Sequence, residues 1–183
     1  ALAKELEIKT NYSAEKISTT EHGIKVDDLE AKEAVLCTPA DTTAKLIKEL
    51  DPELSKELAA IPYTPLEIIH LEIEKNIPAF GCLFPRKLNT NCVGLIFTSS
   101  LFPERTPKDK ALITCFARNK NVEAEIKETL ELKKDPQIIA SRSIKNAIPR
   151  YPLGHHKLIT KLQQFHKKFP AIKLKGNWKD GIG

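Results

Sequence analysis

Pro65-Leu-Glu-Ile-Ile-His-Leu-Glu-Ile-Glu74 decides the fold, because Ile69, Leu71 and Ile73 alternate with His70 and Glu72. A two-residue period places alternate side chains on opposite faces of a strand, so one face is apolar and the other faces away from the core. Residues 93–99 and 111–117 are the most β-like segments of the chain, rich in β-branched and aromatic side chains. Phe80-Gly-Cys-Leu-Phe84 adds a short apolar strand. Between the two β-like segments, Leu101-Phe-Pro-Glu-Arg-Thr-Pro107 carries two prolines and excludes a helix.

On either side of this block the period changes. Ala44, Ile47 and Leu50 lie on one helical face, and Asp51-Pro52-Glu53-Leu54 restarts a helix with an Asp cap and Pro in the first turn. Val122, Ile126 and Leu130, spaced by four, mark another helix, with Lys133 and Lys134 suited to its C-terminus. Residues 138–144 read as a strand. Leu158, Leu162, Phe165 and Phe169 stripe a last helix whose other face carries most of the late lysines.

The chain ends are also strand-like. Residues 1–6 read as the last turns of a helix and residues 8–17 as extended. Residues 16–26 read as a hairpin with Gly23 as its φ > 0 turn residue, and Glu33-Ala-Val-Leu-Cys-Thr-Pro39 as a short buried strand ended by Pro39. Ala171-Ile-Lys-Leu-Lys leads straight into Gly176-Asn-Trp-Lys-Asp-Gly-Ile-Gly183. Glycines after a strand let backbone approach a bulky ligand closely. Together these pieces predict an α+β fold, a mixed sheet backed by helices.

Composition narrows the function. The chain has 183 residues, 41% apolar and 29% charged, as in ordinary globular proteins. No apolar run has bilayer-spanning length. There is no Met, which predicts a piece of a longer protein. Cys37, Cys82, Cys92 and Cys115 form no C-x-x-C pair and read as buried free thiols in a reducing, cytoplasmic compartment. From Lys145 onward nine basic residues face one acidic residue, a polarity that attracts anions. The eleven aromatics do not interleave with those bases, which argues against nucleic acid. Adjacent His155 and His156, with His166 ten positions on, do not suit a metal. Ser99 and Ser100 lack a nucleophile elbow. No catalytic side chain is assigned.

Val35-Leu-Cys-Thr-Pro-Ala40, Phe80-Gly-x-Leu-Phe-Pro-Arg86, Thr98-Ser-Ser-Leu-Phe-Pro-Glu-Arg105, Leu112-Ile-Thr-Cys-Phe116, Asn146-Ala-Ile-Pro-Arg-Tyr-x-x-Gly-His155 and Gly176-Asn-Trp-x-x-Gly-Ile-Gly183 stand in this order along the chain. As an ordered set they resemble the C-terminal part of FAD-dependent protoporphyrinogen oxidases, of the flavin amine-oxidase superfamily. The resemblance implies oxidation of protoporphyrinogen IX to protoporphyrin IX in haem biosynthesis, by hydride transfer to FAD with dioxygen as final oxidant. It implies a partial FAD-binding domain from residues 1–40 and 171–183, and a substrate-binding domain over 41–170.

Position by position, the resemblance makes Leu83, Ile96 and Phe116 walls of a tetrapyrrole pocket. For FAD it points to Ala14 near the adenine end, to Thr38 and Pro39 beside the cofactor, and to Gly176, Asn177, Trp178, Gly181 and Ile182 along the flavin. Residues 148–151 are expected to pass near the flavin ring. The family's Gly-x-Gly-x-x-Gly fingerprint is absent from this sequence, so the piece alone is expected to bind FAD weakly or not at all, and to be inactive. Trp178 stands for the usual Tyr and Arg150 for a frequent Gln. The expected location is the cytoplasm, with peripheral contact to the inner membrane allowed for the longer protein. Two other readings stay open: a coproporphyrinogen III oxidase of the same superfamily, and a non-enzymatic basic domain that binds an anionic membrane or an acidic partner.

Overall fold

The computed structural model describes residues 4–107 and 110–181. Four strands come first: β1 (Ile17–Thr20), β2 (Gly23–Val26), β3 (Leu29–Ala31) and β4 (Ala34–Leu36). Helices α1 (Ala40–Ile47) and α2 (Pro52–Ala59) lead to strands β5 (Tyr63–Ile73), β6 (Gly81–Leu83) and β7 (Cys92–Ile96). The one-turn helix α3 (Thr98–Leu101), strand β8 (Ala111–Ala117), helix α4 (Glu123–Thr129) and strand β9 (Gln137–Pro149) follow. Helix α5 (His155–Lys168), strand β10 (Ile172–Leu174) and the single turn α6 (Asn177–Asp180) complete the order. The fold is α+β, as the alternating periods require.

The chain forms two compact units. One gathers residues up to Pro62 and from Pro149 onward; the other is Tyr63–Ile148. The sequence reading sets its boundaries at 40/41 and 170/171; α1, α2 and α5 fall in the compact unit that holds the end strands. Their apolar stripes are the reason. Leu46, Ile47, Leu54, Leu58, Leu158, Leu162 and Phe165 are all buried. Lys161 also pairs with Glu57 across α5 and α2.

In the first unit β1, β2 and β3 form an antiparallel sheet, and β4 pairs in parallel with β10. The predicted hairpin is present, but Gly23 serves it differently from expectation. A Cβ there would stand 2.3 Å from the Ala31 carbonyl oxygen, so glycine is required by close approach to β3. Residues 8–16, read as a strand, are irregular and mostly exposed; residues 4–6 are turn and bend rather than helix. The Asp27 carboxylate anchors the run. It accepts from Tyr12 Oη at 2.8 Å and from the Lys16 amide at 2.8 Å. The Tyr12 hydroxyl above all, and then the Lys16 amide, hold that carboxyl below its usual range. The cap of α2 is as read: Asp51 Oδ1 accepts from the Leu54 amide at 3.0 Å, with Pro52 in the first turn.

His166 on α5 ties the helix to β10, because its Nε2 accepts the Leu174 amide at 3.1 Å. Burial first, then the charges of Lys179 and Lys175, push the pKa of this ring below the usual histidine range. The folded chain therefore prefers the neutral ring. This contribution is fully present above about pH 6.5 and is lost as the pH falls below that value toward the depressed folded pKa. Urea midpoints should thus decrease from about pH 7.5 to about pH 5, and His166→Gln should flatten the decrease. An unchanged pH slope in the variant contradicts this account.

The second unit is a five-stranded sheet in the order β6-β7-β8-β5-β9. The β6–β7, β7–β8 and β8–β5 pairings are antiparallel. Its core face carries Ile69, Leu71 and Ile73 of β5, Leu95 of β7, and Ile113 and Cys115 of β8, packed with Val122, Ile126 and Leu132. Glu125 of α4 clamps the start of β7, its two carboxylate oxygens accepting the Asn91 and Cys92 amides at 2.9 Å each. Cys92 and Cys115 are buried free thiols with sulfurs 3.3 Å apart; this contact first, and burial second, push Cys115 upward. Cys82 is half-buried, but Cys37 is exposed, against expectation. It follows β4 on that strand's outward face, beside exposed Val35.

Candidate functional site

The strand pairing of the second unit assigns the opposite, open face of its sheet. Leu83 lies opposite Gly94, Gly94 opposite Phe116, and Phe116 opposite Ile68. One row of the face is therefore Leu83, Gly94, Phe116 and Ile68. The next row is Gly81, Ile96, Thr114 and His70 by the same register. Leu83, Ile96 and Phe116, which lie far apart in sequence, thus share one face of three adjacent strands. With strands about 4.8 Å apart, Leu83 and Phe116 stand roughly 10 Å from each other across the glycine.

The glycine shapes this face. A Cβ on Gly94 would lie 2.8 Å from Leu83 Cδ2, so Leu83 occupies the space that a side chain at 94 would need. Leu83 itself is 85% exposed, an unusual state for a leucine on a sheet face. The result is a shallow apolar platform with an aliphatic edge and an aromatic floor, a surface suited to a flat hydrophobic ligand.

A polar cleft lined by Glu72, Glu74, Lys110, Lys134 and Asp135 lies on the same unit. Lys110 pairs with Glu72 at 2.7 Å, and Glu74 accepts the Lys133 amide at 2.7 Å. Glu72, Glu74 and Lys110 are thus engaged with protein groups and the cleft offers little apolar wall, so the open sheet face is the stronger candidate.

In the first unit the carboxyl ends of β4 and β10 lie side by side. The Lys175 amide donates to Leu36 O at 2.9 Å, continuing the parallel register. Crevices at the carboxyl ends of parallel strands are common ligand sites in α/β sheets. Beyond the pairing, the Trp178 indole N–H donates to Thr38 O at 3.0 Å, and Thr38 Oγ1 lies 2.8 Å from Thr43 Oγ1. Pro39 then opens α1. The turn around Gly176 is thereby brought to Thr38 and Pro39.

Two residues outside the assigned set brace this turn. Tyr151 donates its hydroxyl to Asn177 O, and His155 Nε2 lies 3.2 Å from Lys179 O. Their rings stack at 4.4 Å. The motif ending at His155 signalled this region in the sequence, but not these contacts. Trp178 is fully buried with its ring against Gly176, so its side chain ties the turn down and leaves ligand contact to the backbone. Ala14 lies elsewhere in the unit, half-buried on the irregular run into β1. Ile182 lies outside the described residues.

No protein-family model matches the chain. Among curated proteins it is 25% identical to a protoporphyrinogen oxidase of Dictyostelium discoideum, over 79% of this chain and 36% of that protein. It is 26% identical to a chloroplastic protoporphyrinogen oxidase of Oryza sativa subsp. japonica, over 86% of the chain and 35% of the relative. A solved structure from Exiguobacterium sp. 255-15, provisionally named a protoporphyrinogen oxidase, superposes with a TM-score of 0.69 at 16% identity, covering 93% of this chain and 42% of that one. A reduced UDP-galactopyranose mutase superposes with a TM-score of 0.68 at 13% identity, covering 92% and 41%. At such identities the structural likeness concerns the fold. In sequence the chain is similar to the C-terminal part of protoporphyrinogen oxidases, and it spans about a third of the length of the curated relatives it matches.

Proposed function

We propose that this chain is the part of an FAD-dependent protoporphyrinogen oxidase that offers the macrocycle its apolar platform and closes one side of the flavin site. The observation that carries the reading is the shared face of Leu83, Ile96 and Phe116. Three residues brought together only by strand register form a partly exposed apolar surface that the sheet's own core does not use. In this reading Leu83 and Ile96 hold the ring by dispersion, Phe116 lies beneath it, and the sheet keeps water from that side.

Two features of the glycine turn suit a flavin. Gly181 has φ 95°, and a Cβ there would meet Tyr151 Oη at 3.7 Å with no nearer neighbour among the described residues. His155 Nδ1 is buried without a hydrogen-bond partner among the described residues. Backbone at Gly176, Asn177 and Gly181, with Thr38 and Pro39, would line the cofactor, and Ala14 would lie toward its adenine end. A bound flavin supplies two-electron acceptance. The chain's own residues position the macrocycle and hold the turn. Oxidation of protoporphyrinogen IX in haem synthesis, with dioxygen as final acceptor, belongs to the longer protein in this proposal. No helix among the described residues is long and apolar enough to cross a membrane. The cytoplasmic location with peripheral membrane contact is a proposal from the sequence alone, and the chloroplastic or mitochondrial names of several curated relatives do not support it.

Protoporphyrin IX fluorescence titrations on the purified chain test the platform. The double variant Leu83→Asp, Phe116→Asp should bind at least about tenfold more weakly, because two unpaired carboxylates would be covered by the ring. Its far-UV spectrum should not change, since Leu83 is exposed and Phe116 partly so. Absence of saturable binding to the unaltered chain rejects the reading.

A further inference from the structure

Within the two rows of the platform, His70 is the one ionisable side chain. His70 stands beside the Phe116–Ile68 row, opposite Thr114 in the row that also holds Ile96. Its Nδ1 lies 3.0 Å from Thr114 Oγ1, Thr114 Oγ1 lies 2.9 Å from Thr98 Oγ1, and Thr98 Oγ1 can donate to the Ile96 carbonyl at 3.5 Å. A carbonyl accepts but cannot donate, so it orients the series. Thr98 donates to Ile96 O, Thr114 donates to Thr98, and His70 donates from Nδ1 to Thr114. The partner of one ring nitrogen fixes the tautomer and leaves the other nitrogen with its lone pair. Here that nitrogen is Nε2, for which no protein partner is found among the described residues.

We propose that His70 Nε2 accepts a hydrogen bond from a pyrrole N–H of the bound macrocycle, and that this contact makes the platform prefer the reduced ring to the oxidised one. The proposal rests on the reading of the platform given above. In a porphyrinogen the bridging carbons are tetrahedral; the ring puckers and its N–H bonds tilt out of the mean plane toward an acceptor beneath. In a porphyrin the ring is flat, and its two remaining N–H bonds point inward, in the plane. Covering Nε2 with a flat ring leaves an acceptor unsatisfied, while covering it with a puckered ring satisfies it. Sites built around a ligand hydrogen bond discriminate strongly against analogues that lack it. His70 is then a specificity-determining residue that retains substrate and favours release of product.

Anaerobic calorimetric titration with protoporphyrinogen IX and with protoporphyrin IX tests this in the 183-residue chain, unaltered and with His70→Asn or His70→Gln. Asn can keep a donor near the Nδ1 position but has nothing at Nε2; Gln places an acceptor near Nε2. The unaltered chain should bind the reduced ring about tenfold more tightly than the oxidised one. His70→Asn should lose that preference, and His70→Gln should retain most of it. Equal affinities in the unaltered chain, an undiminished preference in His70→Asn, or equal losses in both variants each overturn the proposal while leaving the platform intact. Failure of the unaltered chain to bind either ring overturns the platform itself.

Discussion

Replacing Trp178 by Ala should cost about 3–5 kcal/mol of unfolding free energy in the first unit, the range for removing a buried large aromatic. The indole is fully buried. It fills the space above Gly176, where an added Cβ would come within 2.4 Å of its Nε1. Its N–H also supplies one hydrogen bond to Thr38 O, although that carbonyl still accepts from Thr43 Oγ1 at 3.2 Å. The loss therefore reflects mostly packing. Trp178→Phe separates the two contributions, retaining most of the apolar volume and losing about 1 kcal/mol for the hydrogen bond. Urea unfolding followed by circular dichroism measures both variants. Faster amide exchange at Lys175, which donates to Leu36, should locate the damage in the β4–β10 pair. A loss below about 1 kcal/mol for Trp178→Ala would show that the turn is held by other contacts.

Gly81→Val should detach β6 while leaving the rest of the second unit folded. A Cβ at 81 would stand 2.2 Å from Leu95 O and 3.2 Å from Ile96 Cα, both backbone atoms that cannot rotate away. β6 is a three-residue edge strand. Its release is therefore the easiest escape, whereas moving β7 would break the buried contacts of Leu95. The Phe84 amide bonds Val93 O at 2.9 Å, and the Phe97 amide bonds Phe80 O at 3.0 Å. Both should lose exchange protection by about a hundredfold or more, as expected when a local unit opens. Porphyrin affinity should fall with the loss of the Leu83 edge. Gly94→Ala is the control: its tightest contact is the flexible tip of Leu83, which can rotate outward, and the Cys82 carbonyl oxygen at 3.1 Å needs to yield only slightly, so β6 should stay paired. Equal protection in Gly81→Val and the unaltered chain contradicts the geometry.

The legible parts of the fold are those whose two faces meet different surroundings. In β5 and β8 alternate residues are buried, so the two-residue period carried the answer. Residues 8–16 carry some of the same letters but have little to pack against, and they stay irregular. β3 was not foreseen, since Leu29-Glu-Ala31 shows no apolar pattern and is wholly exposed. The strand read over residues 93–99 ends at Ile96, and Thr98 and Ser99 turn into α3, where Ser99 takes over the ladder's role: its Oγ bonds both the amide and the carbonyl of Leu112. β9 runs past Ile144 to Pro149, beyond the part that looked strand-like.

The site was half legible. The family resemblance named Leu83, Ile96 and Phe116, but their common face depends on a register between strands distant in sequence, which no local pattern announces. Cys92 opposes Ala117 and Gly94 opposes Phe116, so Val93 is an extra residue in β7. That insertion buries Cys92 and turns Gly94 outward, although residues two apart ordinarily share a face. The outward direction of His70 was readable from alternation. Its chemistry was not, because the hydroxyl that orients it is 44 residues away.

The parallel pairing of β4 with β10 also bears on how the protein is made. Thr38 and Trp178 are 140 residues apart, so a ribosome has synthesised the whole second unit before the first can close. Tyr63–Ile148 contains all five strands of its own sheet, apart from the last residue of β9, and can condense on the nascent chain. Until Trp178 emerges, the early segment waits with β4 lacking its parallel partner, and such open strand edges recruit foreign strands. The sheet of the second unit can thus be complete before the β4–β10 pair exists, and β4 is open to foreign strands in the interval.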